Sequence, residues 1–102
     1  MTELTSKQRK YLEKAAHDLQ PVVIVGGAGV TEGVIQMVNN SLKAHELLKV
    51  KYNEYKDEKI ELTNDMCRQC DAVLVRIIGN IAILYKEAED PSDRKFNLKA
   101  IQ

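Results

Sequence analysis

Hydrophobic residues recur along the chain every three to four positions in some segments and at every second position in others. The first segment has the helical interval. Thr5 and Gln8 have the spacing of a capping box, and Leu12 and Ala16 follow on one side of the predicted helix. Pro21 would interrupt the backbone hydrogen bonds, so we expect the helix to end before it.

The next segments predict a strand, a helix and a second strand. Residues 22–25, "VVIV", are β-formers in a run too short for a helix, which predicts a strand buried on both faces. Thr31 is a suitable N-cap for the second helix. In "ELLKVKYN" the apolar positions 48, 50 and 52 alternate with Lys49 and Lys51, so the second strand would place both lysines on one face.

A third helix and a hairpin follow. Ile60, Thr63 and the two cysteines Cys67 and Cys70 recur at helical intervals, which predicts that they share the inner side of the helix. The segment "AVLVRIIGNIAILYK" predicts two antiparallel strands joined by a tight turn at residues 79–80. Residues 87–102 predict a loop and tail in which "RKFNL" is a candidate for a short edge strand.

Together these segments predict one compact α/β domain over residues 1–102. The element order would be α-β-α-β-α-β-β, with a mixed four-stranded sheet and helices packed on it. A chain of 102 residues with 44% hydrophobic content has enough apolar surface for a single modest core. This length excludes a multidomain enzyme.

The overall charge is balanced, because Lys plus Arg and Asp plus Glu number 15 each. No basic field over the whole chain therefore indicates a nucleic-acid partner, and such binding would depend on the local placement of charge. The sequence begins without an apolar signal segment and contains no run of the length that a membrane span requires. We expect a soluble cytoplasmic protein that acts as a monomer and does not bind membranes.

The segment "VGGAGVT" places a glycine loop between the first predicted strand and the second helix. Such a loop lets an anion approach the backbone amides and the positive end of the helix dipole. A Walker loop would need a Gly-Lys-Ser/Thr ending, which is absent. Gly27, Gly29 and Gly33, with Glu54 after the second strand, resemble a dinucleotide fingerprint, but the chain is too short for that fold. A GxxG loop of the KH type and a plain tight turn remain as alternatives.

The pair Cys67 and Cys70 has the CxxC spacing of redox and zinc sites. A redox pair would open a helix, whereas this pair lies near the end of one. A zinc site would need two more ligands, and both His17 and His45 lie at predicted helix ends, where capping explains them. We therefore expect packing by the cysteines, no metal or cofactor, and no catalytic site.

Three blocks of the sequence resemble a known family. These are "LTSKQRKYLEKAAHDLQPVVIVGGAGVTEGV", "HELLKVKYN" and "VRIIGNIAILYK", in this order and at similar separations. They resemble the CRM domain (chloroplast RNA splicing and ribosome maturation), and in particular the single-domain prokaryotic YhbY-like proteins, from about Leu4 to about Lys86. The resemblance implies a fold similar to the C-terminal domain of translation initiation factor three. It also implies RNA binding and, for bacterial members, association with precursors of the large ribosomal subunit.

The resemblance also implies which residues would contact RNA. The glycine loop would supply Gly26, Gly27, Ala28 and Gly29, and the helix start Thr31. Basic positions that match the family are Lys7, Lys49, Lys51, Arg68 and Lys86. Lys10 and Lys14 share a face of the first helix with Lys7, although such a stripe is also typical of a solvated helix face.

Among the aromatic residues, Tyr11 lies beside the basic stripe and is the better candidate for stacking on a base, whereas Tyr52 and Tyr85 would be core residues. We expect loop amides to hold phosphates and lysines to neutralise their neighbours, with little sequence preference. The alternative is a small adaptor or ligand-binding domain whose loop captures a phosphorylated metabolite or a dinucleotide.

Overall fold

A computed structural model describes residues 3–101 of the chain. Its helices are α1 (Ser6–Ala16), α2 (Glu32–His45) and α3 (Lys59–Cys70), and its strands are β1 (Val23–Val25), β2 (Leu47–Tyr52), β3 (Val73–Ile78) and β4 (Ile81–Tyr85). Short 3-10 turns lie at Lys56–Glu58, Pro91–Asp93 and Leu98–Ala100. The predicted order of helices and strands is confirmed, as is the capping box formed by Thr5 and Gln8 at the start of α1.

The four strands form one mixed sheet in the order β1-β2-β4-β3. β1 and β2 are parallel, and β4 is antiparallel to both of its neighbours. β2 and β3 therefore run in the same direction, and the connection through α3 passes over β4. At one end of the sheet lie the glycine loop, the end of β2 and the turn between β3 and β4. Tyr52 donates its N–H to the carbonyl of Asn80 at this end.

The helices divide between the two faces of the sheet. α2 and α3 cover one face, here called the two-helix face, where buried residues include Val38, Leu42 and Met66 of the helices and Val50 and Leu84 of the sheet. On the other face a smaller core forms around α1. It comprises Leu12, Ala16, Leu47, Val75, Ile83, Tyr85 and Leu98. α1 makes most of its sheet contacts with β2 and β3 and also packs on Ile83 and Tyr85 of β4, but part of this second face is uncovered.

Two predictions about buried side chains are wrong. β1 is not buried on both faces: Val23 and Val25 are buried, but Ile24 is 53% exposed. The reason is that β1 is an edge strand that α1 does not cover. Ile60 is 57% exposed, whereas Thr63 and both cysteines lie on the inner side of α3 as expected. At 100° per residue Ile60 points roughly 70° away from the middle of that buried stripe.

The short edge strand expected in the tail is also absent from residues 87–101, which contain two 3-10 turns instead. The carboxylate of Glu46, itself buried, accepts the N–H of Ala88 at 2.7 Å and the N–H of Lys95 at 2.5 Å. Phe96 and Leu98 pack beside α1. The backbone of the tail is thus attached through a side chain rather than through a strand ladder.

Candidate nucleic-acid interface

The glycine loop is a tight turn held by a tyrosine. The N–H of Gly29 donates to the carbonyl of Gly26 at 2.9 Å. Gly29 has a φ of +76°, a conformation that favours glycine. The hydroxyl of Tyr55 donates to the carbonyl of Gly27 at 2.8 Å. The same ring lies against Gly29, where an added Cβ would approach it to 3.5 Å.

The start of α2 has the predicted cap. The hydroxyl oxygen of Thr31 accepts the N–H of Val34 at 3.2 Å, and the backbone carbonyl of Thr31 accepts the N–H of Ile35. Thr31 therefore has a structural role that occupies its side chain. Any anion at this helix start would be bound by the backbone rather than by the hydroxyl.

The charges beside the glycine loop are mostly negative. A groove next to it is lined by Gly27, Asn53, Glu54, Tyr55, Lys56, Asp57 and Glu58. Three carboxylates and one ammonium group give this side a potential that opposes a phosphate. Glu54 does lie near Gly27, as a dinucleotide site would require. The sheet, however, has an antiparallel strand at its centre, unlike the parallel dinucleotide-binding fold.

The uncovered part of the second sheet face carries a different set of side chains, here called the open face. Ile24 of β1 pairs with Lys51 of β2, Lys51 pairs with Ile81 of β4, and Ile81 pairs with Ile78 of β3. These four side chains form a row across the sheet. Lys51, Ile24 and Ile78 are exposed.

Next to this row, a groove runs between α1 and the sheet. This basic groove is lined by Lys10, Glu13, Lys14, His17, Lys49, Arg76, Ile78 and Ile83. Four of these residues are cationic at neutral pH and one is acidic. The acidic residue, Glu13, pairs with Arg76 at 2.9 Å. The groove thus concentrates positive charge in a chain whose formal net charge is zero.

Lys49 has a second contact within the groove. Its ammonium group donates to the carbonyls of His17 and Leu19, at 3.2 and 3.0 Å, where α1 ends. A cation at the C-terminus of a helix is stabilising. The lysine therefore fastens α1 to β2 in addition to contributing charge.

The sequence pattern does not identify Arg76 as a groove residue, because β3 is irregular. Strict alternation would place Arg76 on the two-helix face together with Leu74. The register shifts between these two residues, so that Val75 is an inserted bulge residue and both Val75 and Arg76 lie on the second face. For His17 the sequence suggests a helix cap or a zinc ligand rather than a groove residue. No local sequence signal would have identified either as a groove residue.

The other predicted basic residues are dispersed. Lys7 is exposed on α1 but does not line the basic groove. Arg68 is on α3, on the two-helix side of the sheet, where it pairs with Asp65 at 3.0 Å. Lys86 follows β4 at the end of the sheet opposite the glycine loop, where its N–H donates to the carbonyl of Glu46. The structure therefore groups Lys10, Lys14 and Lys49, with Lys51 on the adjoining open face, and separates the rest.

Two of the three predicted tyrosine positions agree with the structure, and that of Tyr11 beside the basic residues of the groove does not. Tyr52 and Tyr85 are fully buried, as expected, and the hydroxyl of Tyr52 bonds with that of Thr63 at 2.7 Å. Burial raises the pKa of both phenols. Tyr11 is 37% exposed but packs edge-on against Phe96, with ring centroids 6.2 Å apart. It therefore lies on the tail side of α1, away from the groove.

The two cysteines are buried free thiols. Burial is the main cause that raises the pKa of Cys67 to about 11, and repulsion from the neighbouring Cys70 is the smaller one. The thiolate, which is the reactive and metal-binding form, is thus disfavoured at neutral pH. Within residues 3–101 no group of three or more His, Cys, Asp or Glu side chains could hold a metal ion. In the same range, no helix is long and apolar enough to cross a bilayer.

Comparisons with known proteins agree on one family. Residues 4–86 match the family model of the CRS1/YhbY (CRM) domain. A Haemophilus influenzae protein named "RNA-binding protein" is 42% identical over 91 residues, covering 88% of this chain and 92% of its own length. A Bacillus subtilis protein named as a probable RNA-binding protein is 34% identical over 88 residues, covering 85% and 92%.

A solved structure shows the same architecture. The solution structure of a Staphylococcus aureus protein superposes with a TM-score of 0.76 at 29% identity, covering 93% of this chain and all of that one. Sequence and fold thus lead to the same assignment. The chain belongs to the CRS1/YhbY (CRM) domain family.

Proposed function

We propose that this protein binds structured RNA through the basic groove and the open face, and that its target is ribosomal RNA in an assembling large subunit. The observation that supports this most directly is the groove itself, where Lys10, Lys14, Lys49 and Arg76 lie along one side of α1. The names of the relatives, which describe RNA-binding proteins, support the class of ligand. The ribosomal target follows from what membership of the family implies.

Binding would be mainly electrostatic. Lys10 and Lys14 are one helical turn apart, so their Cβ atoms are separated by about 6 Å along α1. Cations at such intervals can neutralise successive phosphates, and the counterions released from RNA then favour association. Lys51 extends the positive surface across the sheet. Contacts of this kind position RNA without distinguishing its bases.

The side chains between the cations favour a duplex or otherwise folded RNA. Ile24, Ile78 and Ile81 occupy the sheet positions beside the lysines, and among residues 3–101 no tyrosine or phenylalanine lines the basic groove. Proteins that bind single strands usually stack bases on aromatic rings. The aliphatic surface is better matched to the sugar edge of an A-form helix. We accordingly propose recognition by shape, with Tyr11 only at the margin of the contact.

The positions of the acidic residues also favour binding through the open face. Glu54, Asp57 and Glu58 lie by the glycine loop, and Glu61 and Asp65 are exposed on α3. α3 covers the two-helix face, which is opposite the open face. Repulsion from these carboxylates would turn the open face toward RNA during encounter.

The glycine loop has a secondary part in this proposal. Its position at the end of the sheet, between the two faces, allows an RNA strand leaving the groove to pass over residues 26–29 and the start of α2. Backbone amides there would donate hydrogen bonds to one phosphate. The neighbouring carboxylates weaken that contact, so the loop contributes less than the groove. Lys7, Arg68 and Lys86 also contribute less, because they lie outside the groove.

The test removes two lysine charges from the proposed surface in one variant and two lysine charges from elsewhere on the protein in another. Lys14→Gln with Lys51→Gln removes two cations from the proposed surface, and both are exposed side chains whose ammonium groups bond to no other residue within 3–101. Lys43→Gln with Lys99→Gln removes two exposed cations that line neither the basic groove nor the groove beside the glycine loop. Fluorescence anisotropy with a duplex-containing fragment of large-subunit ribosomal RNA, over a salt series, measures both affinity and its salt dependence.

We expect the groove pair to lower the affinity and to reduce the magnitude of the logarithmic salt slope by about 2, while the control pair changes little. Equal losses in both pairs would show attraction by overall charge rather than a site. No loss in either pair would reject the groove. If a phosphorylated metabolite or a dinucleotide binds instead, with little salt dependence, the small-molecule alternative at the loop is favoured.

A further inference from the structure

The bulge in β3 lies directly beneath α1, and one side chain of that helix binds its backbone. Nη1 of Arg9 donates to the carbonyl of Leu74 at 2.6 Å and to the carbonyl of Val75 at 2.8 Å. A bulge disrupts the ladder locally and leaves backbone groups that need other partners. The charged guanidinium supplies two strong hydrogen bonds to consecutive carbonyls there.

The next turn of the same helix contacts the residue that follows the bulge. Glu13 lies four positions after Arg9, on the same side of α1, and its carboxylate pairs with the guanidinium of Arg76. Arg9 therefore binds the strand immediately before Arg76, and Glu13 binds the side chain of Arg76. Arg9 itself lines the surface at the edge of β3 and not the basic groove.

We propose that Arg9 is a positioning residue for RNA binding: by holding the carbonyls of the bulge, it places Arg76 in the basic groove. This rests on the proposed function of the groove. Without the bulge, Arg76 would face α3 rather than α1 and could not contribute to the positive surface. Arg9 acts through the backbone of β3 and does not contact RNA.

Arg9→Lys separates position from charge. Lysine retains the positive charge, but its side chain is one bond shorter and its ammonium group cannot reach both carbonyls without movement of α1. Arg76→Gln removes the groove cation itself. The two single variants and the double variant form a cycle, measured by anisotropy with the same ribosomal RNA fragment after thermal unfolding has shown that each is folded.

We expect Arg76→Gln to weaken binding about tenfold and to reduce the magnitude of the salt slope by about 1. Arg9→Lys should weaken binding about threefold in the wild-type background and have no effect when Arg76 is already Gln. An equal loss in both backgrounds would mean that Arg9 contacts RNA directly, and no loss in the wild-type background would mean that Arg76 does not depend on it. Either result overturns the proposal.

A second measurement does not need RNA. In the free protein, Arg9→Lys should shift the amide resonances of residues 74–76 and accelerate their hydrogen exchange, while the β2–β4 ladder is unchanged. An unchanged spectrum around the bulge would reject the positioning role. If wild type fails to bind RNA, the proposed function fails, yet this spectrum still decides whether Arg9 sets the bulge. Arg9→Gln replaces Arg9→Lys in both measurements if the lysine variant does not fold.

Discussion

The glycine loop and the basic groove differ in what they offer an RNA. The loop has a defined backbone conformation, with Gly29 at positive φ and Tyr55 bonded to Gly27, but its neighbours are Glu54, Asp57 and Glu58. The groove is built from α1, β2 and the bulged strand β3, and four cations converge in it. The glycine loop therefore has a backbone shape suited to a phosphate, whereas the basic groove has the positive potential that attracts one.

This difference shows that local sequence determines a short motif, whereas the tertiary structure determines a binding surface. A glycine spacing of four residues reports the local backbone, whereas the electrostatic potential at that spot comes from every charge within about 10 Å. The charges beside the loop come from residues 54–58. Those in the groove come from α1, β2 and β3, which are far apart in sequence.

The largest expected effect is that of reversing charge in and beside the groove. Lys14→Glu combined with Lys51→Glu should reduce RNA affinity by roughly a hundredfold, because two attractive contacts become repulsive. Both residues are exposed, so the melting temperature should change little. Anisotropy measures the loss, with Lys43→Glu plus Lys99→Glu as the matched control outside both grooves. A similar loss in the control would remove the distinction between the groove and the rest of the surface.

Gly29→Ala should affect stability more than binding. At a φ of +76° an alanine costs about 1–2 kcal/mol relative to glycine. The added Cβ would lie 3.5 Å from the Tyr55 ring, which is ordinary contact, so the penalty comes from the backbone. Urea unfolding measures it, with Gly27→Ala as a control that adds a Cβ in open space. A large loss of RNA affinity in folded Gly29→Ala would instead make the loop the main contact.

Tyr55→Phe isolates the hydrogen bond that holds the loop. Loss of the bond to the carbonyl of Gly27 should destabilise the protein by about 1 kcal/mol, because the site is partly exposed to water. The ring remains against Gly29, so the loop should keep its position. Affinity for RNA should be that of wild type. A strong fall in affinity without unfolding would indicate that the hydroxyl contacts the ligand.

The smallest effect concerns the carboxylates beside the loop. Glu54→Gln with Asp57→Asn should raise RNA affinity about threefold at low salt, since two repulsive charges are removed. The gain should disappear as salt screens the remaining field. Glu89→Gln with Asp93→Asn, which changes the same charge in the tail, is the control. An unchanged affinity in the loop variant would place the bound RNA too far from the loop to sense it.

The sequence permitted a nearly complete prediction of the fold. Alternation in β2, the cap at Thr31 and the glycine at position 79 each specify local structure through nearest neighbours, and all agree with the structure. The exposed side of β1 could not be predicted, because four consecutive β-formers look the same on an edge strand as in a buried one. The tail was also mispredicted, since Glu46 bonds to it from about 40 residues away.

The candidate site was predictable only in part. Lys49 and Lys51 follow from strand alternation, and Lys10 and Lys14 follow from helical spacing. Nothing in either pattern indicates that α1 lies against the strand that carries Lys49. Arg76 could not be placed, because a bulge depends on how a neighbouring strand and helix pack and not on local propensity.

By itself, the sequence determined the family, the order of elements and the glycine turn, because repeating intervals and special residues act over a few neighbouring positions. Only the tertiary structure decided which charges meet. It brought α1 across the second sheet face, moved Arg76 into the groove through the bulge, and left Arg68 and Lys86 elsewhere. The physical reason is that an electrostatic surface is a sum over distances in space, whereas a sequence records only distances along the chain.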